Sequence, residues 1–133
     1  MNTFFYAAAE SKHCQDVVKR LKTFSQLRDL TALPCGSRFT SFEALRLRSG
    51  DLIFLFADNE DHLEELIALR SDFEGFRIIL ILLEPRADTV RKSHLLRPRF
   101  IVGAKENWDE LEAIVDKIIF SECCRWLASA AHH

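Results

Sequence analysis

Two runs of consecutive apolar residues constrain the fold of this chain more than any other feature of its sequence. They occupy residues 51–57 (DLIFLFA) and 77–83 (RIILILL). A strand with one face in water alternates polar and apolar side chains, whereas a strand that is covered on both faces is apolar throughout. The two runs therefore predict central strands of a parallel sheet with helices packed on both of its faces.

Three shorter apolar runs and five amphipathic segments complete the pattern. The runs are 3–9 (TFFYAAA), 30–33 (LTAL) and 99–103 (RFIVG). The segments place apolar side chains three and four residues apart, as on one face of a helix, and some follow a good N-cap residue. The first has Ser11 before Cys14, Val17, Val18, Leu21 and Phe24; the second has Ser41 before Phe42 and Leu45; the third contains Leu63, Leu66 and Ile67; the fourth spans 88–96; the fifth has Asn107 and Glu110 with the stripe Trp108, Leu111, Val115, Ile118 and Ile119.

The order of these elements predicts the fold class. Strands and helices alternate five times with short connections, which is typical of a three-layer α/β/α sandwich with right-handed crossovers. The commonest five-stranded arrangement is a parallel sheet in the flavodoxin-like order 2-1-3-4-5. A chain of 133 residues fits one such domain. We expect the domain to cover residues 1–121 and residues 122–133 to form a helical extension, whose two final histidines have the pattern of a purification-tag stub.

Composition and charge exclude several classes of function. The formal net charge of −2 gives no general attraction to nucleic acid or to an anionic membrane. No apolar run approaches the roughly 18 residues that span a bilayer. Cys14, Cys35, Cys123 and Cys124 form no CxxC pair, and no histidine stands at metal-ligand spacing from them. We therefore expect reduced thiols in a cytoplasmic protein that has protein partners and uses no metal, cofactor, nucleic acid or membrane.

The carboxyl ends of the strands are the places where doubly wound folds bind their ligands. After the first predicted strand the chain continues with Ala8, Ala9 and Glu10. A loop that binds phosphate needs glycines at this point, so that backbone N–H groups can approach the phosphate oxygens. Because the loop has no glycine, the sequence argues against a nucleotide site.

Three segments resemble the receiver domain of two-component response regulators. The stretch SGDLIFLFADNEDHLEEL is similar to the third strand and third helix of that family, RIILILLE to its fourth strand, and RFIVGAKENWDELEAIVDKI to its fifth strand and helix. The resemblance extends over residues 3–119 in the order and length of the elements. It implies a signalling module that acts through contacts with other proteins and is not an enzyme.

The acidic residues of that family's phosphorylation pocket are replaced in this chain. Ala8 and Ala9 stand where the family has the acidic pair that holds Mg²⁺. Phe56 stands where the family has the phosphoacceptor aspartate. Phosphoryl transfer depends on a metal ion and on positive charge that neutralises the transferring oxygens. The resemblance therefore implies a pseudo-receiver, a receiver domain whose phosphorylation pocket is degenerate.

Two further positions of the pocket also differ from the family. Leu82 or Leu83 replaces the Ser or Thr that ends the family's fourth strand. The lysine of the family's fifth strand aligns near Gly103, and Lys105 lies two residues beyond that position. These replacements remove a hydroxyl group and displace a positive charge, which supports the same interpretation.

Asp58 gives an alternative interpretation of the same pocket. It opens the cluster Asp58-Asn59-Glu60-Asp61-His62, two residues past the aligned position. A shifted loop that brings Asp58 together with Glu10 and Lys105 predicts oxygen ligands for Mg²⁺ and an atypical phosphoacceptor. Acidic residues ahead of a helix are also favoured simply by the positive end of the helix dipole. A further alternative is a small-ligand sensor, with Phe56 lining an apolar pocket at the strand ends.

The charged residues separate into an acidic segment, 58–74, and a basic segment, 86–105. These segments are interpreted either as two solvated faces or as an electrostatically steered protein interface. The basic segment lacks the interleaved aromatic residues of a nucleic-acid site. An apolar stripe that continues beyond the predicted domain also predicts a homodimer through the C-terminal helix. The residues predicted to carry the interface are Arg91, Lys92, Arg97, Trp108 and Trp126, and Trp108 is equally suited to the core.

Overall fold

The structure, a computed structural model, describes residues 2–33, 51–106 and 108–131, with the helical backbone alone for residues 121–131. Parallel strands alternate with helices in this part of the chain. The strands are β1 (Thr3–Ala7), β2 (Thr31–Ala32), β3 (Leu52–Ala57), β4 (Arg77–Leu82) and β5 (Phe100–Gly103). The helices are α1 (Lys12–Lys22), α2 (Glu60–Ala68), α3 (Ala87–Ser93) and α4 (Trp108–Ala131), with 3₁₀ segments at Ser25–Leu27, Arg70–Phe73 and His94–Leu96.

The five strands form one parallel sheet in the order β2-β1-β3-β4-β5, which confirms the predicted flavodoxin-like topology. The central strand is β3, and all of its residues are buried, as the continuous apolar run predicts. In the register of the sheet, Ala7 lies opposite Phe56, and Leu82 lies opposite both Ala57 and Gly103. The carboxyl ends of β1, β3, β4 and β5 therefore meet at one edge of the sheet.

Two hydrophobic cores lie on the two faces of the sheet, because successive residues of a strand point to opposite sides. Phe54 and Phe56 pack on the face that α1 and α4 cover. Ile53 and Leu55 pack on the face that α2 covers. The helices contribute Cys14, Val17, Leu21, Trp108, Leu111 and Val115 to the first core and Leu63 and Leu66 to the second. This arrangement is the three-layer sandwich that the sequence predicts.

Side chains at the helix starts explain why α1 and α2 begin where they do. The Oγ atom of Ser11 accepts a hydrogen bond from the backbone N–H three residues on, at 3.1 Å. The Oδ1 atom of Asn59 accepts the corresponding bond from the N–H of His62 at 2.9 Å. Both are N-cap interactions. Glu60 and Asp61 follow in the first turn of α2, where the helix dipole favours negative charge.

The remaining helices differ in detail from the sequence patterns. The segment predicted as one helix over 88–96 is α3 followed by a 3₁₀ turn, and Arg97 ends it with a left-handed φ of 52°. The backbone of α4 is helical as far as Ala131. The predicted second helix, with Ser41, Phe42 and Leu45, lies outside the described residues. Within the part of the chain that is described, no helix is long and apolar enough to cross a membrane.

Candidate functional site

Three positions at the edge of the sheet where a receiver domain holds its phosphoryl group carry buried apolar side chains in this chain. Ala8, directly after β1, is buried, and Ala9 is half-buried. Phe56 is 1% exposed, and Leu82, the last residue of β4, is also buried. The three buried side chains lie at the ends of neighbouring strands and carry no group that binds a cation or an oxyanion.

Phe56 is a core residue. Its ring belongs to the core beneath α1 and α4, together with Phe54 of the same strand and Trp108 of α4. Burying a phenylalanine side chain contributes about 1.5–3 kcal/mol to stability. The resemblance implies a carboxylate at this position. In this chain the position holds a ring that packs in the core.

Two charged residues predicted for this site lie at its margin. Glu10 is exposed and accepts a hydrogen bond from the Nε2 atom of Gln15 at 3.2 Å. Lys105 is exposed as well. Among the described residues, Lys105 forms no ion pair with Asp58.

Gly103 ends β5 at the position near which the family's lysine aligns. A Cβ atom built on Gly103 would lie 2.9 Å from the Cδ atom of Glu106. The glycine leaves room for this carboxylate, so a larger residue at position 103 would require the Glu106 side chain to move.

Asp58 has an environment that the sequence patterns did not predict. Its side chain is 13% exposed, and its Oδ1 atom is enclosed without a hydrogen-bond partner among the described residues. The Nδ1 atom of His13 lies 3.7 Å from Oδ1, and the Nδ1 atom of His62 lies 3.9 Å from Oδ2. An enclosed acceptor without a donor costs about 1–3 kcal/mol. The spacing of four residues between Asp58 and His62 is a signal for their proximity, whereas nothing local in the sequence signals His13.

The described residues around Asp58 do not form a metal-binding group. In residues 2–33, 51–106 and 108–131, no group of three or more His, Cys, Asp or Glu side chains is arranged to hold a metal ion. The acidic cluster after β3 is instead the start of α2, with Asn59 as its cap.

A cleft of about 230 Å³ lies beside Asp58, between the ends of β3 and β4 and the starts of α2 and α3. Its lining includes Ala57, Leu82 and Leu83 together with polar groups, among them an ion pair of Glu84 and Arg86 at 3.7 Å. Phe56 does not line this cleft. The interpretation as a small-ligand sensor predicts an apolar pocket beside Phe56. This cleft is a different one.

Lys92 forms ion pairs with two carboxylates of the same chain. Its Nζ atom binds the carboxylates of Glu60 and Glu64, the latter at 3.2 Å. The hydrogen bond and the charge attraction between the two groups raise the pKa of Lys92 and lower the pKa of Glu60. The basic and acidic segments of the sequence are thus partly paired with each other across α2 and α3.

Trp108 lies in the core, which is one of the two positions that its sequence pattern allows. Its Nε1–H donates a hydrogen bond to the backbone oxygen of Ala104 at 2.9 Å, and its ring meets Phe24 edge to face at 6.2 Å. The guanidinium of Arg20 lies 5.3 Å from the ring centroid, at cation–π distance. The ring is buried because it starts the apolar stripe of α4 that packs against α1 and the sheet.

The other predicted interface residues are placed as follows. Arg91 in α3 and Arg97 after it are exposed. Trp126 lies on the helical backbone of α4, in the part whose side chains are not described. Two large apolar side chains that the patterns did not single out are exposed in the described residues, Leu95 and Phe120.

Solved structures similar to this chain include response regulators. A response regulator receiver protein from Pseudoalteromonas atlantica matches with a TM-score of 0.64 and 16% identity, over 92% of this chain and 99% of that one. A response regulator from Thermotoga maritima matches with a TM-score of 0.61 and 18% identity, over 90% and 98%. The CpaE2 pilus assembly protein from Sinorhizobium meliloti 1021 matches with a TM-score of 0.55 and 13% identity, over 89% and 99%.

These similarities establish the fold, which is that of response-regulator receiver domains. No protein-family model matches the sequence, and no curated protein matches it. The resemblance carried by the strands β3, β4 and β5 is thus confirmed at the level of architecture. The chemistry of the site must be argued from this chain's own residues.

Proposed function

We propose that this chain is a receiver-like signalling module, not an enzyme, that binds other proteins and accepts no phosphoryl group. The observation that carries the proposal is the burial of Phe56 at the end of β3, next to the buried Ala8 that follows β1. A phosphorylation pocket must admit a metal ion and a phosphodonor. Close-packed apolar side chains exclude both. The receiver fold supports the signalling role.

Asp58 is the carboxylate that an atypical receiver would have to use. Its neighbours within 4 Å among the described titratable groups are the imidazoles of His13 and His62, and Lys105 forms no ion pair with it. Transfer to Asp58 requires charge that neutralises the transferring oxygens. Because Oδ1 is enclosed and no metal-binding group is arranged around it in the described residues, the geometry disfavours Asp58 as an acceptor.

The test is incubation with acetyl phosphate and Mg²⁺ followed by intact mass spectrometry. We expect no phosphoryl adduct on the wild-type chain. The variants Asp58→Asn and Asp61→Asn serve as a matched pair, because Asp61 is an exposed carboxylate three residues away. An adduct that is present in the wild type and in Asp61→Asn but absent in Asp58→Asn would show an atypical receiver and contradict the proposal.

We also propose that the partner surface includes α3, β5 and α4 and that α4 mediates a homodimer. Leu95, in the turn after α3, is exposed, and Phe120 on α4 is 68% exposed. Exposed apolar side chains that belong to a larger apolar patch are typical of interfaces, and a symmetric pair is the commonest way to cover such a patch. Arg91 and Arg97 are then rim residues, which affect association rate and salt dependence more than affinity.

A further inference from the structure

His13, Asp58 and His62 form a cluster of titratable side chains that joins three elements. His13 lies in the first turn of α1, Asp58 follows β3, and His62 lies in the first turn of α2. The two imidazoles face different oxygens of the carboxylate, at 3.7 and 3.9 Å. One carboxylate therefore stands between the starts of two helices that cover opposite faces of the sheet.

The chemistry of the cluster depends on the charge of the imidazoles. Charge-assisted N–H···O bonds measure about 2.7–2.9 Å, so both contacts are too long for a hydrogen bond but lie within ion-pair range. Histidine is the side chain that ordinarily gains a charge between about pH 5 and 8. A proton gained by either imidazole therefore creates an ion pair with Asp58 and supplies a charged donor to its carboxylate.

Other charged groups lie on two sides of the cluster, in the cleft beside Asp58 and in a groove beside His13, and they affect the charge of the two imidazoles differently. Those in the cleft beside Asp58 are Glu60, Glu84, Arg86 and Asp88, and those in the groove beside His13 are Asp16, Arg20 and Lys105. In the cleft, Glu60 binds Lys92, and Glu84 pairs with Arg86. In the groove, Arg20 and Lys105 oppose a charge on His13, whereas Asp16 favours it. The His13 side chain is 54% exposed and that of His62 is 22% exposed, so solvent screens the attraction of His13 to Asp58 more strongly. His62 is therefore the stronger partner of Asp58.

We propose that this cluster is a proton-operated clasp. Protonation of His62, and to a smaller extent of His13, draws the first turns of α2 and α1 toward Asp58. The inference rests on the proposed function, because it gives Asp58 a proton-linked ion pair in place of phosphoryl transfer. The signal received at this edge of the sheet is then a proton. Because the ion pair exists in the folded chain, acidification stabilises the wild type relative to variants that lack the clasp.

The test is the melting temperature of the full chain and its variants at about pH 6 and about pH 8, the range in which histidine ordinarily titrates. On acidification the wild type should gain about 2–4 °C relative to Asp58→Asn and His62→Gln, as expected for one ion pair in a domain of this size. His13→Gln should lose a smaller part of that gain. His94→Gln is the matched control, because His94 is an exposed histidine outside the cluster and should keep the wild-type gain.

Equal acid-dependent gains in the wild type, Asp58→Asn and His62→Gln would overturn the clasp. Should Asp58→Asn fail to fold, the comparison of His62→Gln with His94→Gln decides alone, and equal behaviour of the two contradicts the clasp. The acetyl phosphate assay is independent of this test. An adduct lost in Asp58→Asn would overturn the proposed function, whereas a missing acid-dependent gain overturns only the clasp.

Discussion

The side chain at position 56 links the packing of this molecule to its proposed role. Phe56 ends the central strand and lies in the core between β3 and the helices α1 and α4. A receiver domain leaves this position open to its phosphodonor, whereas here the ring is enclosed. The same residue thus strengthens the core and, under the proposed function, stands in place of the nucleophile. Substitutions at position 56 test the effect on stability and the effect on phosphorylation.

The variant Phe56→Asp tests both effects together. It should lose about 3–5 kcal/mol or more of unfolding free energy, because a large buried ring is removed and a carboxylate is enclosed without a partner. It should also fail to form an acyl phosphate, because Ala8 and Ala9 supply no metal ligand. Urea unfolding and intact mass measure the two outcomes.

Phe56→Leu is the control for packing and should lose less stability than Phe56→Asp. A Phe56→Asp variant that is as stable as the Phe56→Leu variant would show that the ring is not enclosed. A stable acyl phosphate on Phe56→Asp would show that the rest of the phosphorylation pocket is intact. Either result would contradict this account of position 56.

At the scale of elements, Lys92 is the charged contact that joins α2 and α3 across the cleft. Its Nζ atom binds Glu60 and Glu64, which lie one turn apart on α2. The groups are exposed, so solvent and salt screen their attraction. These ion pairs are therefore a weak contact between the two helices. Arg91, Arg97 and Arg99 are exposed cations of the same basic segment.

The variant Lys92→Gln should lower the melting temperature slightly at neutral pH and low salt. The pKa of Glu60 lies below its ordinary 4.5, so its contribution is present above pH 4.5 and is lost as the pH falls through the lowered value. The pKa of Lys92 lies above its ordinary 10.5, so its contribution is present below pH 10.5 and is lost as the pH rises through the raised value. Thermal unfolding across pH and salt concentration measures both limits.

Lys19→Gln is the matched control for this prediction, because Lys19 is an exposed lysine of α1 without an ion pair among the described residues. The difference between the wild type and Lys92→Gln should shrink in about 1 M salt, where the screening length is only about 3 Å. A difference that salt leaves unchanged would show that Lys92 acts through packing and not through charge.

Sequence patterns predict the elements of the central sheet well because burial on both faces leaves a continuous apolar run. They place the end of β1 less well: the apolar run continues to Ala9, whereas pairing with β3 ends at Ala7. The pattern over 88–96 likewise conceals the change from α3 to a 3₁₀ turn before Arg97. In both cases hydrophobicity records burial, and the element boundary depends on hydrogen bonds that hydrophobicity does not record.

At the scale of the whole molecule, the sequence predicts the fold correctly, because the fold depends on residues within the strands. The loss of the acidic pocket stays a prediction. The sequence does not predict the clasp, because His13 and Asp58 are 45 positions apart and meet only when α1 packs on the sheet. It leaves Trp108 undecided between core and surface, because an amphipathic stripe fits both. The hydrogen bond to Ala104 and the contact with Phe24 place it in the core.

The proposed homodimer is a property of the whole chain, and its expected site is the C-terminal part of α4. The full chain should run as a dimer at micromolar concentrations, and a version that ends at Ser121 should run as a monomer. Phe120→Ser should weaken the dimer more than Leu95→Ser, because Phe120 is on α4 and Leu95 is not. Light scattering and sedimentation measure this. Monomers for both the full and the shortened chain would contradict the dimer.

The central claim is that the strand ends no longer form a cation-dependent phosphorylation pocket, and Mg²⁺ binding tests it most directly. A cation that binds only the folded chain raises stability by RT ln(1 + [L]/Kd), so Mg²⁺ in excess over its Kd shifts the melting temperature of a working receiver. We predict no shift for this chain beyond that of NaCl at equal ionic strength. A shift that is specific to Mg²⁺ and is lost in Glu10→Gln or Asp58→Asn would contradict the claim.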